Sequence, residues 1–165
     1  MLRRIDDGDL ETVRRWRNHP KVRAASFTTH EIGAAEHARW WRAVRGDPDR
    51  EVLLYEHDGV PAGVVTFTGL AAGDGATWGF YLDVAGLERS GRLLRAWFGV
   101  ERAAVGHAFG PLGLRSLRGE VLADNDAVRR LHRRFGFTEV GSYLRDVGGV
   151  PREVVVVRLD REEAS

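Results

Sequence analysis

Asp58-Gly59 stands between two runs rich in β-branched and apolar residues, Glu51 to His57 and Val60 to Thr68. No short sequence signals a hairpin more strongly, because both positions of the favoured two-residue turn need positive φ. A two-residue turn joins only antiparallel strands, so the middle of the chain has to hold an antiparallel pair. Val52, Leu53, Leu54, Val64, Val65 and Phe67 suit the centre of a sheet. The rest of the fold must be arranged around this pair.

Leu2 to Ile5 predicts a short strand, and Asp9 opens a helix carrying Leu10, Val13 and Trp16 that ends before Pro20. A second helix is expected over Ala34 to Arg45, with His37, Trp40, Trp41 and Val44 on one face, until Gly46-Asp47-Pro48-Asp49 stops it. Beyond the hairpin and the flexible stretch Ala71 to Gly75, a strand over Thr77 to Val84 leads through a turn ending at Gly91 into a long helix that finishes near Phe109. Leu94, Trp97, Phe98, Glu101, Val105, Ala108 and Phe109 mark the mostly apolar stripe of that helix. A strand over Ser116 to Leu122 runs into Asp124-Asn125-Asp126, which cap a helix from Ala127 to Phe135 closed by Gly136. Strands near Thr138 to Arg145 and Arg152 to Leu159 complete the chain. Both crossovers are long enough to join parallel neighbours through a helix. The expectation is one α/β domain over residues 1–165, a mixed and mostly antiparallel sheet of about seven strands flanked by four helices.

Composition narrows the function. The chain has no cysteine, which excludes disulfides, thiolate metal sites and a cysteine nucleophile. Its 25 basic and 24 acidic residues leave a net charge of +1 and no footprint for nucleic acid. Lys21 is the one basic residue that is not arginine. No apolar run approaches the ~18 residues of a membrane span, and the first residues do not read as a signal peptide, so the expected place is the cytoplasm.

Three segments carry the chemistry. Gly86-Leu87-Glu88-Arg89-Ser90-Gly91 joins a strand to a helix, where backbone N–H groups and the positive end of the helix dipole favour phosphate. Asn125 precedes a helix that ends in Gly136-Phe137, with His132 seven residues on. Trp16-Arg17-Asn18-His19-Pro20-Lys21-Val22-Arg23 is followed by Glu36-His37 and Trp40. Together with the element order, these resemble the GNAT superfamily of N-acetyltransferases over roughly residues 3 to 145. Gly63-Val64-Val65-Thr66-Phe67 and Gly79-Phe80-Tyr81, with the N-terminal segment, are similar to the branch that acetylates nucleotide-linked amino sugars, the pseudaminic acid pathway type.

The resemblance implies acetyl-CoA as co-substrate and direct attack by a small-molecule primary amine in a ternary complex. Leu82, Val84, Leu87, Arg89, Ser90, Gly91, Arg92, Asn125 and Val128 would hold the CoA, and Trp16, Arg17, Asn18, His37, Trp40 and Tyr81 the acceptor. His132 takes the place of the family's thiolate-protonating tyrosine, and Glu120 and His19 are the further catalytic candidates. Arg89 stands where the family has glycine, and Thr77-Trp78 where related enzymes place a basic glutamate, which leaves a water-mediated base open. Each position also has a plainer reading: Asn125 as a cap, His132 as a core histidine on the Val128, Leu131, Phe135 stripe, the tryptophans as helix packing. A protein N-terminal acetyltransferase of the ribosomal-protein type and a non-catalytic CoA-binding module are the alternatives, and the reading leaves room for a homodimer.

Overall fold

In the computed structural model, which describes residues 1–164, the central hairpin forms as its turn demands. Strands β2 (Arg50–His57) and β3 (Val60–Thr68) pair antiparallel, with His57 opposite Val60. Asp58 and Gly59 both adopt left-handed backbone angles, φ 51° and 78°, whose twist matches that of the strands they join.

Around the hairpin lie β1 (Leu2–Arg4), β4 (Gly75–Leu82), β5 (Ser116–Leu122), β6 (Thr138–Val147) and β7 (Val150–Asp160), in the spatial order β1-β2-β3-β4-β5-β7-β6. Only β4 and β5 run parallel. Their pairing covers Gly75 opposite Ser116 through Trp78 opposite Gly119 and stops there. β4 continues to Leu82 and β5 to Leu122, so the sheet opens into a wedge at their C-terminal ends.

Strand alternation divides the core between the two faces of the sheet. Leu53, Tyr55, Val65 and Phe67 face the long helix α5 (Leu93–Phe109), which buries Ala96, Val100, Ala104 and Ala108 completely. Those alanines let the helix lie close to the sheet, and at Gly99 a Cβ would run into Tyr55 Oη. On the other face Leu54 and Val64 meet Val13 and Trp16 of α1 (Leu10–Arg17) and Trp41 of α3 (Ala34–Val44). Phe67 is fully buried, which stabilises the fold by about 2–3 kcal/mol.

The fold class is as expected, with two additional short helices and two corrections of detail. Helix α2 (Pro20–Ala24) begins at the proline that was expected only to end α1, because proline suits a first helical turn and the His19 ring accepts the Lys21 N–H at its start. The turn expected before α5 is largely a helix as well, α4 (Val84–Arg89), capped by Asp83 on the Gly86 N–H at 3.0 Å. Only the first crossover joins parallel neighbours. The second, through α6 (Asp126–Arg134), delivers β6 beyond the place that β7 then fills. The α5 stripe is also rotated from its expected position: Leu94 is 68% exposed, and the face toward the sheet is Ala96, Val100, Glu101, Ala104 and Ala108. No described helix is long and apolar enough to cross a membrane.

Candidate active site

The wedge between β4 and β5 opens into a cavity of about 400 Å³. Trp78 to Leu82 form one wall and Gly119 to Val121 another; Leu93 and Trp97 of α5 and Asn125, Val128 and His132 of α6 close the helical side. Lys21, Val22, Ala25, Ser26 and Phe27 cover the remaining side. Trp78 is buried at the point where the strands part, stacked on Phe80 with centroids 5.4 Å apart and meeting the His132 ring edge-on at 5.7 Å. A Cβ at Gly119 would crowd that indole and Val157, so glycine belongs there. Past Trp78 and Gly119, the facing main-chain groups of the two strands have lost each other as partners.

His132 and Glu101 are the buried titratable pair beside this space. His132 Nδ1 lies 2.8 Å from Glu101 Oε1, with His132 4% and Glu101 0% exposed. Burial pushes the Glu101 carboxyl above the usual carboxylate range, and its bond and attraction to His132 offset part of the rise. Glu101 Oε2 is buried without a partner. With Nδ1 occupied, Nε2 is the ring nitrogen left for the cavity that His132 lines.

The residues expected to hold CoA divide between the cavity, the exposed start of α5 and the core. Leu82, Val84, Asn125 and Val128 line the cavity. Asn125 also caps α6, its Oδ1 accepting the Val128 N–H at 3.4 Å, so the capping role is real and its amide nitrogen is left over. Arg89, Ser90, Gly91 and Arg92 lie exposed at the start of α5, where Gly91 has φ 68°. No side chain caps that helix, which leaves its first-turn N–H groups and dipole available to an anion beside the guanidinium groups. Leu87 is a core residue, 6% exposed, outside the cavity.

The acceptor half is more dispersed than expected. Tyr81 lines the cavity, and its surroundings push the phenol up, against a smaller opposing effect of Arg17. Arg17 donates to Thr28 O through Nη2 at 3.1 Å, while its buried Nη1 has no partner and burial lowers its pKa. Asn18 clamps the main chain of Ile32 from both sides, Nδ2 to O at 2.8 Å and N–H to Oδ1 at 2.7 Å. With Arg23 Nε on Thr29 O at 2.9 Å, these side chains tie residues 28–32 to α1 and α2. Trp16 is core, Trp40 packs on the same cluster, and His37 meets Trp40 at a tilt with ring centroids 5.0 Å apart, its pKa lowered first by burial and then by Arg14. His19 serves as the α2 cap outside the cavity wall. Glu120 lines the cavity and accepts from Tyr143 Oη at 2.9 Å.

Sequence reasoning missed Glu101, although a carboxylate in an apolar helix stripe was the available signal. Lys21 and Val22 belonged to the N-terminal motif without being named as site residues, and the structure sets them, with Phe27, in the cavity wall beside α2. Lys21 ties that wall to α4 through Glu88 at 2.6 Å.

Residues 1–138 match the family model of the acetyltransferase (GNAT) domain, and the chain belongs to that family. It is an N-acetyltransferase with acetyl-CoA as co-substrate. Its fold is similar to that of the N-acetyltransferase PseH from Campylobacter jejuni, with TM-score 0.71 and 17% identity over 98% of this chain and 97% of that one. The spermidine N-acetyltransferase of Vibrio cholerae, solved with CoA and spermine, is similar at TM-score 0.83 and 17% identity over 99% and 96%. A GNAT-family acetyltransferase from Bacillus anthracis gives TM-score 0.78 and 12% identity over 98% and 95%. At such identities these likenesses speak for the fold alone. No curated protein matches the sequence.

Proposed function

We propose that the protein acetylates the amino group of a nucleotide-linked amino sugar, by direct attack of the amine on the thioester within a ternary complex. The carrying observation is the chemistry of the cavity wall. Glu120 is the one carboxylate among the described residues that line it, and most of the surface is aromatic or aliphatic. A polyamine would need several carboxylates, whereas a deoxysugar ring suits an apolar wall. The motif resemblance to the amino-sugar branch points the same way.

Acetyl-CoA supplies the activated acyl group. The edge of Phe80 to Leu82 that faces β5 is unpaired and offers hydrogen bonds of the kind an added strand receives. The start of α5 with Arg89, Ser90, Gly91 and Arg92 offers donors and charge for the pyrophosphate. Asn125 and Val128 bound the pantetheine side, and His132 protonates the departing sulfur. Glu120, at the rim, holds the acceptor's ammonium group before it loses its proton.

Thiol release with acetyl-CoA, measured on a nucleotide-linked amino sugar, spermidine and a peptide α-amine, tests the assignment. The amino sugar is expected to give the highest kcat/KM; preference for spermidine or the peptide refutes it. His132→Phe is expected to lower kcat by about 10², and an unchanged rate at saturation removes His132 from the reaction.

A further inference from the structure

Glu101 is costly where it stands. It is fully buried in a helix face that otherwise consists of alanine and valine, and its one polar partner is His132 Nδ1. Its second oxygen has no partner at all. A core needs no such group for packing, and burying a carboxylate is unfavourable unless its charge is used.

Resting on the transfer reading above, we infer that Glu101 is a positioning residue that makes His132 a two-way proton carrier, so that one imidazole does the work of a separate base and a separate acid. The geometry supplies each requirement. An ionised Glu101 can only accept, so the 2.8 Å contact at Oε1 calls for Nδ1–H and leaves the lone pair on Nε2, the ring nitrogen left for the cavity. The carboxylate's charge then faces the ring that becomes positive when Nε2 takes a proton. No carboxylate from β4 reaches the cavity, since its wall there is Trp78 to Leu82.

The proton balance closes on this pair. The acceptor first loses its ammonium proton to solvent and attacks as the free amine. As the nitrogen–carbon bond forms, Nε2 takes the proton that the nitrogen must shed. As the carbon–sulfur bond breaks, Nε2 returns that proton to the thiolate. Each turnover forms one amide and one thiol, releases one proton to solvent and leaves the imidazole unchanged.

The groups that share this space with His132 are few. Lys21 on α2 is paired with Glu88, Tyr81 on β4 is neutral, and Glu120 on β5 is bonded to Tyr143. On α6 itself, Arg129 and Arg133 are paired with Glu139, and Arg130 and Arg134 lie on the exposed face. Phe137 and Trp78 complete the surroundings of the ring.

Nitrogen-15 spectra of histidine-labelled protein, assigned by difference with His132→Gln, read the tautomer without any substrate. The expected form is Nδ1–H at neutral pH; an Nε2–H form overturns the inference. With the amine chosen by the acceptor panel, Glu101→Gln is expected to lower kcat about 10- to 100-fold, to leave the KM for acetyl-CoA in place, and to move the acid limb of the kcat profile to lower pH. Glu101→Asp, which keeps the charge, is expected to recover part of the rate. Glu101→Gln with unchanged kcat and an unmoved limb refutes the role, since a purely structural partner would alter stability only. If no amine is accepted, the transfer reading falls, and the tautomer still decides the inference about Glu101.

Discussion

Asn18 tests whether the segment over residues 28–32 is held against α1 and α2, and whether that hold matters to the amine. Asn18→Ala removes both hydrogen bonds to Ile32. They are not equal losses. Ile32 O keeps Arg14 Nη1 at 3.1 Å, whereas the Ile32 N–H loses its only side-chain partner in a half-buried place. One displaced bond and one stranded donor together cost about 1.5 kcal/mol. For a chain of this length that lowers Tm by about 3–6 °C. Thermal unfolding followed by fluorescence measures the shift, and initial rates measure the consequence: the KM for the amine rises while that for acetyl-CoA stays. Asn18→Asp keeps the acceptor for the N–H and sets a carboxylate beside the carbonyl, so it should fall between. A Tm change under about 1 °C, or a change confined to the acetyl-CoA KM, refutes the clamp.

Gly99→Ala places a methyl group against Tyr55 Oη, which is itself bonded to His57 Nδ1 at 2.9 Å; α5 must lift from the sheet, at a cost of about 1–3 kcal/mol in a denaturant titration. Arg3 meets Asp9 through two bonds of 2.8 and 3.0 Å, and Arg3 together with the Asp6 N–H holds the Asp9 carboxyl below its usual range. A lowered carboxyl pKa gives stability that is present above the unfolded value near 3.8 and lost as pH falls through the folded one. Asp9→Asn should therefore cost about 0.5–1 kcal/mol at pH 7, discounted for solvent screening, and nothing at pH about 2.

How much of this was legible in the sequence follows from the range of the interactions involved. The hairpin was readable because Asp58-Gly59 sets its own geometry, and the Asn125 to Phe137 segment because cap, helix and closing glycine are local. Pro20 misled because proline both ends one helix and begins the next. The α4 helix was hidden because its start depends on Asp83 reaching forward to the Gly86 N–H rather than on helix propensity. Glu101 and His132, 31 positions apart in sequence, meet only through the packing of α5 against α6. The acceptor-side motif was legible as a pattern and not as a contact map: Trp16 went to the core, Asn18 to a loop clamp and His19 to a cap.

The bridge between Lys21 and Glu88 has a practical consequence. Because every other basic side chain that carries a fixed charge is arginine, an amine-directed reagent meets a single side-chain amine in this protein, at the rim of the cavity and two-thirds exposed. One covalent label, distinguished from the α-amine of Met1 by peptide mass, thus marks the edge of the cavity where α2 meets α4 without the need to engineer a cysteine.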